Sequence, residues 1–331
     1  MQLESDLNSV DCELLAEATD GFLPEQVFDF HAHVIHPRYY TPELVFDALA
    51  GKTVDFAAYR AAVQQLLPGR RLAGSLVFPY TARGNDRPGV NRWMWEDLAA
   101  APPAQGGVGL ALVAPGDDPA LAAAWLESRL CRGLKPYFLY GREGDASQCG
   151  VEEYAPAWMW ELCDRHDAVL TLHLVKDAAV ADPANREALL RLSARYPRCR
   201  VVLAHIARSF NWRNARGLAA LQDRPNIFVD TSAVTEPEGI KIALATLGPG
   251  RVLFGTDYPE SHLRGRCVTA GKSAQWIYAD AMNNSAMTLV GIESLRSIRE
   301  ASEQLGLGAA EVGRIFWGNA RELLGERPVG P

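Results

Sequence analysis

The stretch AVLTLHLVKDAAVADPANREALLRLSARYPRCRVVLAH, residues 168–205, decides the fold. It opens on one apolar run, Ala168–Leu174, and closes on another, Arg200–His205. Runs this short and this uniformly apolar read as strands buried on both faces, which is how parallel strands look. Between them Asn185–Tyr196 reads as a helix, with Asp182-Pro183 supplying its cap and a proline for the first turn. Parallel strands cannot be joined by a tight hairpin, so the stretch is a strand–helix–strand crossover. Each strand carries a histidine at its C-terminal end, His173 in one and His205 in the other.

The same alternation runs outward in both directions. Further strand-like runs are Gln26–His33, Arg71–Pro79, Gly107–Ala114, Arg132–Leu139, Asn226–Thr231 and Arg251–Asp257. Helix-like segments separate them: Pro42–Ala50 and Asp55–Leu67, then Gly89–Ala100, Pro119–Arg129, Glu153–His166, Asn214–Gln222 and Glu236–Thr246. Strand alternating with helix eight times predicts an α/β fold of the (β/α)8 TIM-barrel type. A doubly wound sheet is the competing architecture, but no glycine-rich phosphate loop follows any strand. Residues 1–25 read as a short N-terminal extension, helical from Asp11, and residues 26–331 as one barrel domain. That domain ends in C-terminal helices expected near Ser273–Ala281, Gly291–Glu303 and Ala309–Leu324, with Asn319 as a cap-type residue in the last.

Composition narrows the function classes. The chain has 331 residues, with 33 Lys and Arg against 40 Asp and Glu, a formal charge of −7. That balance gives no basic footprint for nucleic acid or for an anionic membrane. No apolar run approaches the roughly 18 residues a membrane span needs. The acidic N-terminus lacks a basic region and an apolar core, so a cytoplasmic location is expected. The cysteines, Cys12, Cys131, Cys149, Cys163, Cys199 and Cys267, form no C-x-x-C and read as reduced, mostly buried side chains. Nothing in the sequence speaks for or against a homodimer, the commonest symmetric assembly.

The chemistry lies at the strand ends. His31 and His33 end the first strand, and residues i and i+2 of a strand point to the same side, so the pair can share one ion. His173, His205 and Asp257 end strands five, six and eight. In a barrel all five converge on the C-terminal mouth, where active sites are built. Imidazoles with a carboxylate suit a borderline divalent cation such as Zn²⁺, with Mn²⁺ or Fe²⁺ as alternatives. Each of these histidines taken alone reads equally as a hydrogen-bonded core residue; it is their joint placement that points to a metal.

The stretches FDFHAHV (28–34), RGLKPY (132–137), LTLHL (170–174), VVLAHIAR (201–208), VLFGTDYP (252–259) and IFWGNARELLG (315–325) together resemble the amidohydrolase superfamily, in its amidohydrolase-related branch. The resemblance implies His31, His33, His173 and Asp257 as metal ligands. It also implies acid–base roles for His205 and Asp257, and one divalent ion per chain. Lys135 stays open. It is a substrate-anion contact or structural ion pair, a carboxylated bridge between two metals as in two-metal members, or a plain lysine. Arg208, Arg83 and Tyr80 are candidates for substrate contact by position at the mouth, and each reads equally as structural. The branch holds hydrolases and decarboxylases alike. The expected activity is metal-assisted attack of water on an amide or lactone of a small, carboxylate-bearing substrate. The alternative is a lyase, decarboxylating or hydrating an aromatic or unsaturated acid.

Overall fold

The computed structural model describes residues 6–41, 51–279 and 286–325, so the helix expected at Pro42–Ala50 lies outside the described residues. Eight strands form one sheet: β1 Gln26–Val34, β2 Arg71–Pro79, β3 Gly107–Val113, β4 Cys131–Pro136, β5 Val169–Leu172, β6 Arg200–Leu203, β7 Ile227–Asp230 and β8 Val252–Leu253. Each pairs with the next in sequence order, and every ladder in that sheet is parallel. Helices fill the crossovers, as Pro183–Arg195 does between β5 and β6. Phe28, Phe30, Leu76, Phe78, Leu110, Val169, Val202 and Leu253 meet in one buried cluster. Side chains from so many strands meet only in a barrel interior.

β8 is two residues long, so polar groups finish the seam with β1. Phe30 N donates to Phe254 O at 2.8 Å, Asp257 N to His31 O at 2.8 Å and His33 N to Tyr258 O at 2.7 Å. Beneath them the buried Asp29 carboxylate accepts from Thr256 Oγ1 at 2.6 Å, Thr256 N at 2.9 Å and Tyr59 Oη at 2.9 Å. A buried carboxylate is tolerable only when such donors satisfy it.

The eight-strand expectation holds, with three local corrections. The helix expected near Ser273–Ala281 is instead a strand, β10 Ser273–Tyr278, paired antiparallel with β9 Gly265–Ala270. Gly271-Lys272 makes the turn, with Gly271 at φ 60°, the left-handed backbone that tight hairpin turns need. The segment expected as a helix over Asn214–Gln222 is a 3₁₀ run, Trp212–Leu221. Asn319 does not cap: it sits inside the C-terminal helical run, where Nδ2 donates to Pro249 O at 2.6 Å and Val252 O at 2.8 Å. It thereby pins that run beneath β8.

A buried ion pair helps to dock the N-terminal helix Ser9–Thr19. Arg264 grips the buried Asp11 carboxylate with two bonds of 2.8 Å, and Thr288 Oγ1 donates to it at 2.6 Å. Burial alone would raise the Asp11 pKa; Arg264, Thr288 and the Asn8 backbone outweigh it and hold the group below its ordinary value. Asp11→Ala removes the carboxylate of this buried ion pair and should cost about 3 kcal/mol in urea unfolding. Because the folded pKa is depressed, this contribution is present above the ordinary carboxylate pKa and is lost as pH falls through the folded one.

Candidate active site

Burial and the parallel register bring the strand ends together. His31 Nε2 lies 3.1 Å and His33 Nε2 3.4 Å from the same oxygen, Asp257 Oδ1. Ligand atoms of these three residues all lie within 4.8 Å of one another, a spacing that fits one divalent cation. Asp230, which closes β7, fixes the His31 ring: Nδ1 donates to its Oδ2 at 2.9 Å. Nε2 then faces Asp257 and His33, where a bound cation would take the place of its proton. Burial alone would lower the His31 pKa, but Asp230 and Asp257 outweigh it and push it up to about 9. The pocket is thus built to stabilise positive charge. By contrast, burial pulls His33 down to about 4, a neutral imidazole fit to be a ligand. Gly255 permits the packing, since a Cβ there would fall 2.8 Å from His31 Cβ.

His205 reaches the site on a strained turn. His205, Ile206, Ala207 and Arg208 all have φ between 51° and 58°, one turn of left-handed helix that costs non-glycine residues about 1–2 kcal/mol each. His205 N donates to Asp230 Oδ1 at 3.0 Å, which anchors the turn. Ser232 gives its hydroxyl proton to Asp230, so His205 Nδ1 donates to Ser232 O at 2.9 Å. That leaves Nε2 as the proton acceptor. Burial lowers the His205 pKa against the pull of Asp257. His173 lies outside the tight group of three but faces the same cavity. Its ring is 4.9 Å from that of His205, and Nδ1 donates to Leu174 O at 2.9 Å, again freeing Nε2.

The cavity has a volume of roughly 550 Å³ and is lined by His31, His33, His173, His205, Asp257 and Lys135, with Tyr80 and Arg83 at its rim. Lys135 is fully buried, and its Nζ has no hydrogen-bond partner among the described residues. Nζ lies 4.7 Å from the centre of the Phe78 ring. Burial lowers its pKa to about 8. Tyr80 Oη is 3.5 Å from Glu260 Oε1, and Arg83 is tied to Gly144 O at 2.8 Å. Arg208 does not join them. Its Nη1 donates to Lys176 O at 2.9 Å, and it lines an adjoining compartment.

The sequence reading missed Asp230, Ser232, Glu260 and the aromatic wall of Tyr137, Phe210, Trp276 and Tyr278. A signal for Asp230 was present, because it ends an apolar run just as Asp257 does.

Eight parallel strands that deliver imidazoles and a carboxylate to one mouth define an amidohydrolase-type barrel. The chain belongs to the amidohydrolase family, whose model matches residues 28–325, and it is an enzyme. An L-fucono-1,5-lactonase from Burkholderia ambifaria is 30% identical over a match that covers 33% of this chain and 43% of that protein, less than half of that relative's length. An amidohydrolase from Burkholderia multivorans, solved with bound zinc, superposes with a TM-score of 0.59 at 17% identity, covering 90% of this chain and 99% of that one. The 2,6-dihydroxybenzoate decarboxylase from Rhizobium superposes with a TM-score of 0.56 at 16% identity, covering 91% of this chain and 99% of that one. At these identities the likeness of the solved structures is one of fold. No helix among the described residues is long and apolar enough to cross a membrane.

Asp230→Asn should weaken divalent-metal affinity about 10–100-fold, as removing the partner of a ligating histidine generally does. Competition against a chelator measures it, with circular dichroism as the check on folding. Unchanged affinity would show that Asp230 does not orient His31.

Proposed function

We propose that the protein is a metal-dependent hydrolase in which water attacks the amide or lactone carbonyl of a small substrate. The observation that supports this is the convergence of His31 and His33 on one oxygen of Asp257, in a cavity shared with His173 and His205. His31, His33, His173 and Asp257 would hold one divalent ion, Zn²⁺ suiting the donor set best and Mn²⁺ or Fe²⁺ being the alternatives. When bound, the ion supplies Lewis acidity, polarising a carbonyl and making water a stronger acid.

The chain's own groups handle the protons. His205 Nε2, its other nitrogen committed to Ser232, takes the proton from the attacking water. The water oxygen bonds to the carbonyl carbon, and the bond to the alkoxide or amine breaks. The proton that His205 has taken then passes to that leaving atom, directly or relayed through Asp257. Lys135, Tyr80 and Arg83 line the cavity and bind substrate oxygens. Tyr137, Phe210 and Trp276 exclude water around the reacting group.

Lys135, whose Nζ has no hydrogen-bond partner among the described residues, favours one second reading. It suits the carboxylate of an aromatic or unsaturated acid and hence decarboxylation or hydration. Release of CO₂ from a panel of such acids, with no hydrolysis of amides or lactones, would replace the hydrolase reading.

His173→Ala should lower kcat/KM for lactone hydrolysis on the order of 10³-fold, because the cation would lose a ligand and the cavity a wall. Full activity in that variant would remove His173 from the ligand set. Elemental analysis of protein purified without chelator should find about one ion per chain. About two would instead assign Lys135 as a carboxylated bridge and His205 as a ligand.

A further inference from the structure

Three residues past Asp257 the chain makes one 3₁₀ turn, Glu260–His262. His262 closes the turn, its N donating to Pro259 O at 2.9 Å, and anchors it, its Nε2 donating to Ala62 O at 3.2 Å. The anchored turn sets Glu260 in the wall of the catalytic cavity, beside Tyr80.

Buried carboxylates elsewhere in the chain are compensated. Asp29 accepts from Thr256 and Tyr59, Asp230 from His31, His205 and Ser232, and Asp11 pairs with Arg264. Glu260 is not treated this way. Its Oε2 is shut away from solvent and has no hydrogen-bond partner among the described residues. Its Oε1 meets the Tyr80 hydroxyl at a long 3.5 Å. Among the described residues it makes no ion pair. Burial, and after it the charge of Asp257, push its pKa well above the ordinary carboxylate value. A carboxyl in that position is costly as an anion, and a cation brought in from outside relieves the cost.

The cations of the mouth are engaged elsewhere. Lys135 Nζ lies 4.7 Å from the centre of the Phe78 ring and 5.7 Å from that of Tyr137. Arg83 is tied to Gly144 O. Arg208 and Lys272 line the second chamber, of roughly 400 Å³, which shares the Phe210 and Trp276 rings with the catalytic cavity. What surrounds Glu260 is aromatic. Tyr80, Tyr137 and Tyr278 line the same cavity and feel its charge, and Tyr278 stacks on Trp276 at 5.8 Å. Ring faces beside a carboxyl favour an ammonium group and disfavour an anion. The formal charge of −7 draws cations toward the molecule as well.

We propose that Glu260 is a specificity-determining residue of this cavity and binds an ammonium group carried on the substrate. The inference rests on the hydrolase reading and names its substrate class: a small amide or lactone with a primary ammonium arm. The reacting carbonyl lies among the histidines. The arm ends on Glu260, which becomes its counter-ion, and the phenol rings supply negative faces around it. A carboxylate arm in the same place would meet the charge of Glu260 instead.

The test uses the zinc-loaded full chain and a series of linear amides of increasing length. Each ends in a primary ammonium and is matched by the same amide ending in a hydroxyl. At the best length the wild type should show a kcat/KM at least about tenfold higher for the ammonium amide, carried by KM. Glu260→Gln should bring the two substrates within about twofold of each other. Glu260→Met, which leaves no polar atom behind, should do the same, with circular dichroism as the check on folding. No preference in the wild type, or a preference that survives both substitutions, would overturn the proposal. If the amides are not turned over, calorimetry with the same compounds decides. Binding of the ammonium amide that is at least about tenfold weaker to Glu260→Gln supports the site, and equal or absent binding overturns it. Failure of the wild type to hydrolyse simple lactones as well would mark the hydrolase reading as the part that failed.

Discussion

The Asp230 carboxylate is the constraint on which the site depends. One oxygen takes the His31 ring proton. The other takes the His205 backbone N–H, the Ser232 backbone N–H and the Ser232 hydroxyl. Burial would raise its pKa; its histidine and serine partners hold it at about 2, so the group is an anion. One buried charge thus sets the His31 tautomer, anchors the turn carrying His205 and, through Ser232, sets the His205 tautomer as well. A carboxylate with four donors is among the few ways to keep a charge in a core without large cost.

That anchoring accounts for the strain beside it. Four successive residues in left-handed conformation are unfavourable unless the surroundings over-determine them. Here Ile206 and Ala207 are fully buried and the His205 N–H is held by Asp230. The turn points His205 toward the imidazole cluster and Arg208 away, into the neighbouring chamber. A right-handed turn with the same sequence would separate these two side chains differently. On the other flank Asp29 does for the β1–β8 seam what Asp230 does for β7, and its donors hold the strand that bears His31 and His33 against the segment after β8 that bears Asp257. Two buried aspartates, each satisfied by donors from several elements, therefore fix the relative positions of three candidate ligands.

Around this polar centre the walls are aromatic. Phe78, Tyr80 and Phe210 pack on His33 and His205. Low local polarity strengthens every charge interaction inside. It explains how one pocket holds His31 near 9 and His33 near 4: the two differ in carboxylate contact, not in burial. The β9–β10 hairpin supplies the outer wall and creates the second chamber, so the part of the chain outside the repeating barrel is the part that shapes what enters it.

The sequence by itself determined the barrel and the meeting of His31, His33, His173, His205 and Asp257 in one cavity. Apolar runs separated by helical segments admit few arrangements once the strands must be parallel, and placing His31, His33, His173, His205 and Asp257 at strand ends needs only strand periodicity. What it did not determine were interactions between residues far apart in the chain. Asp230 ends its run as visibly as Asp257, but its work is a bond to a ring 199 residues away. The expected helix over Ser273–Ala281 was wrong because helix propensity is weak for a short segment, and pairing with Gly265–Ala270 decided it. Arg208 looked like a neighbour of the catalytic cavity from its spacing alone. Only the left-handed turn, which local propensity disfavours and tertiary contacts impose, settled which chamber it faces.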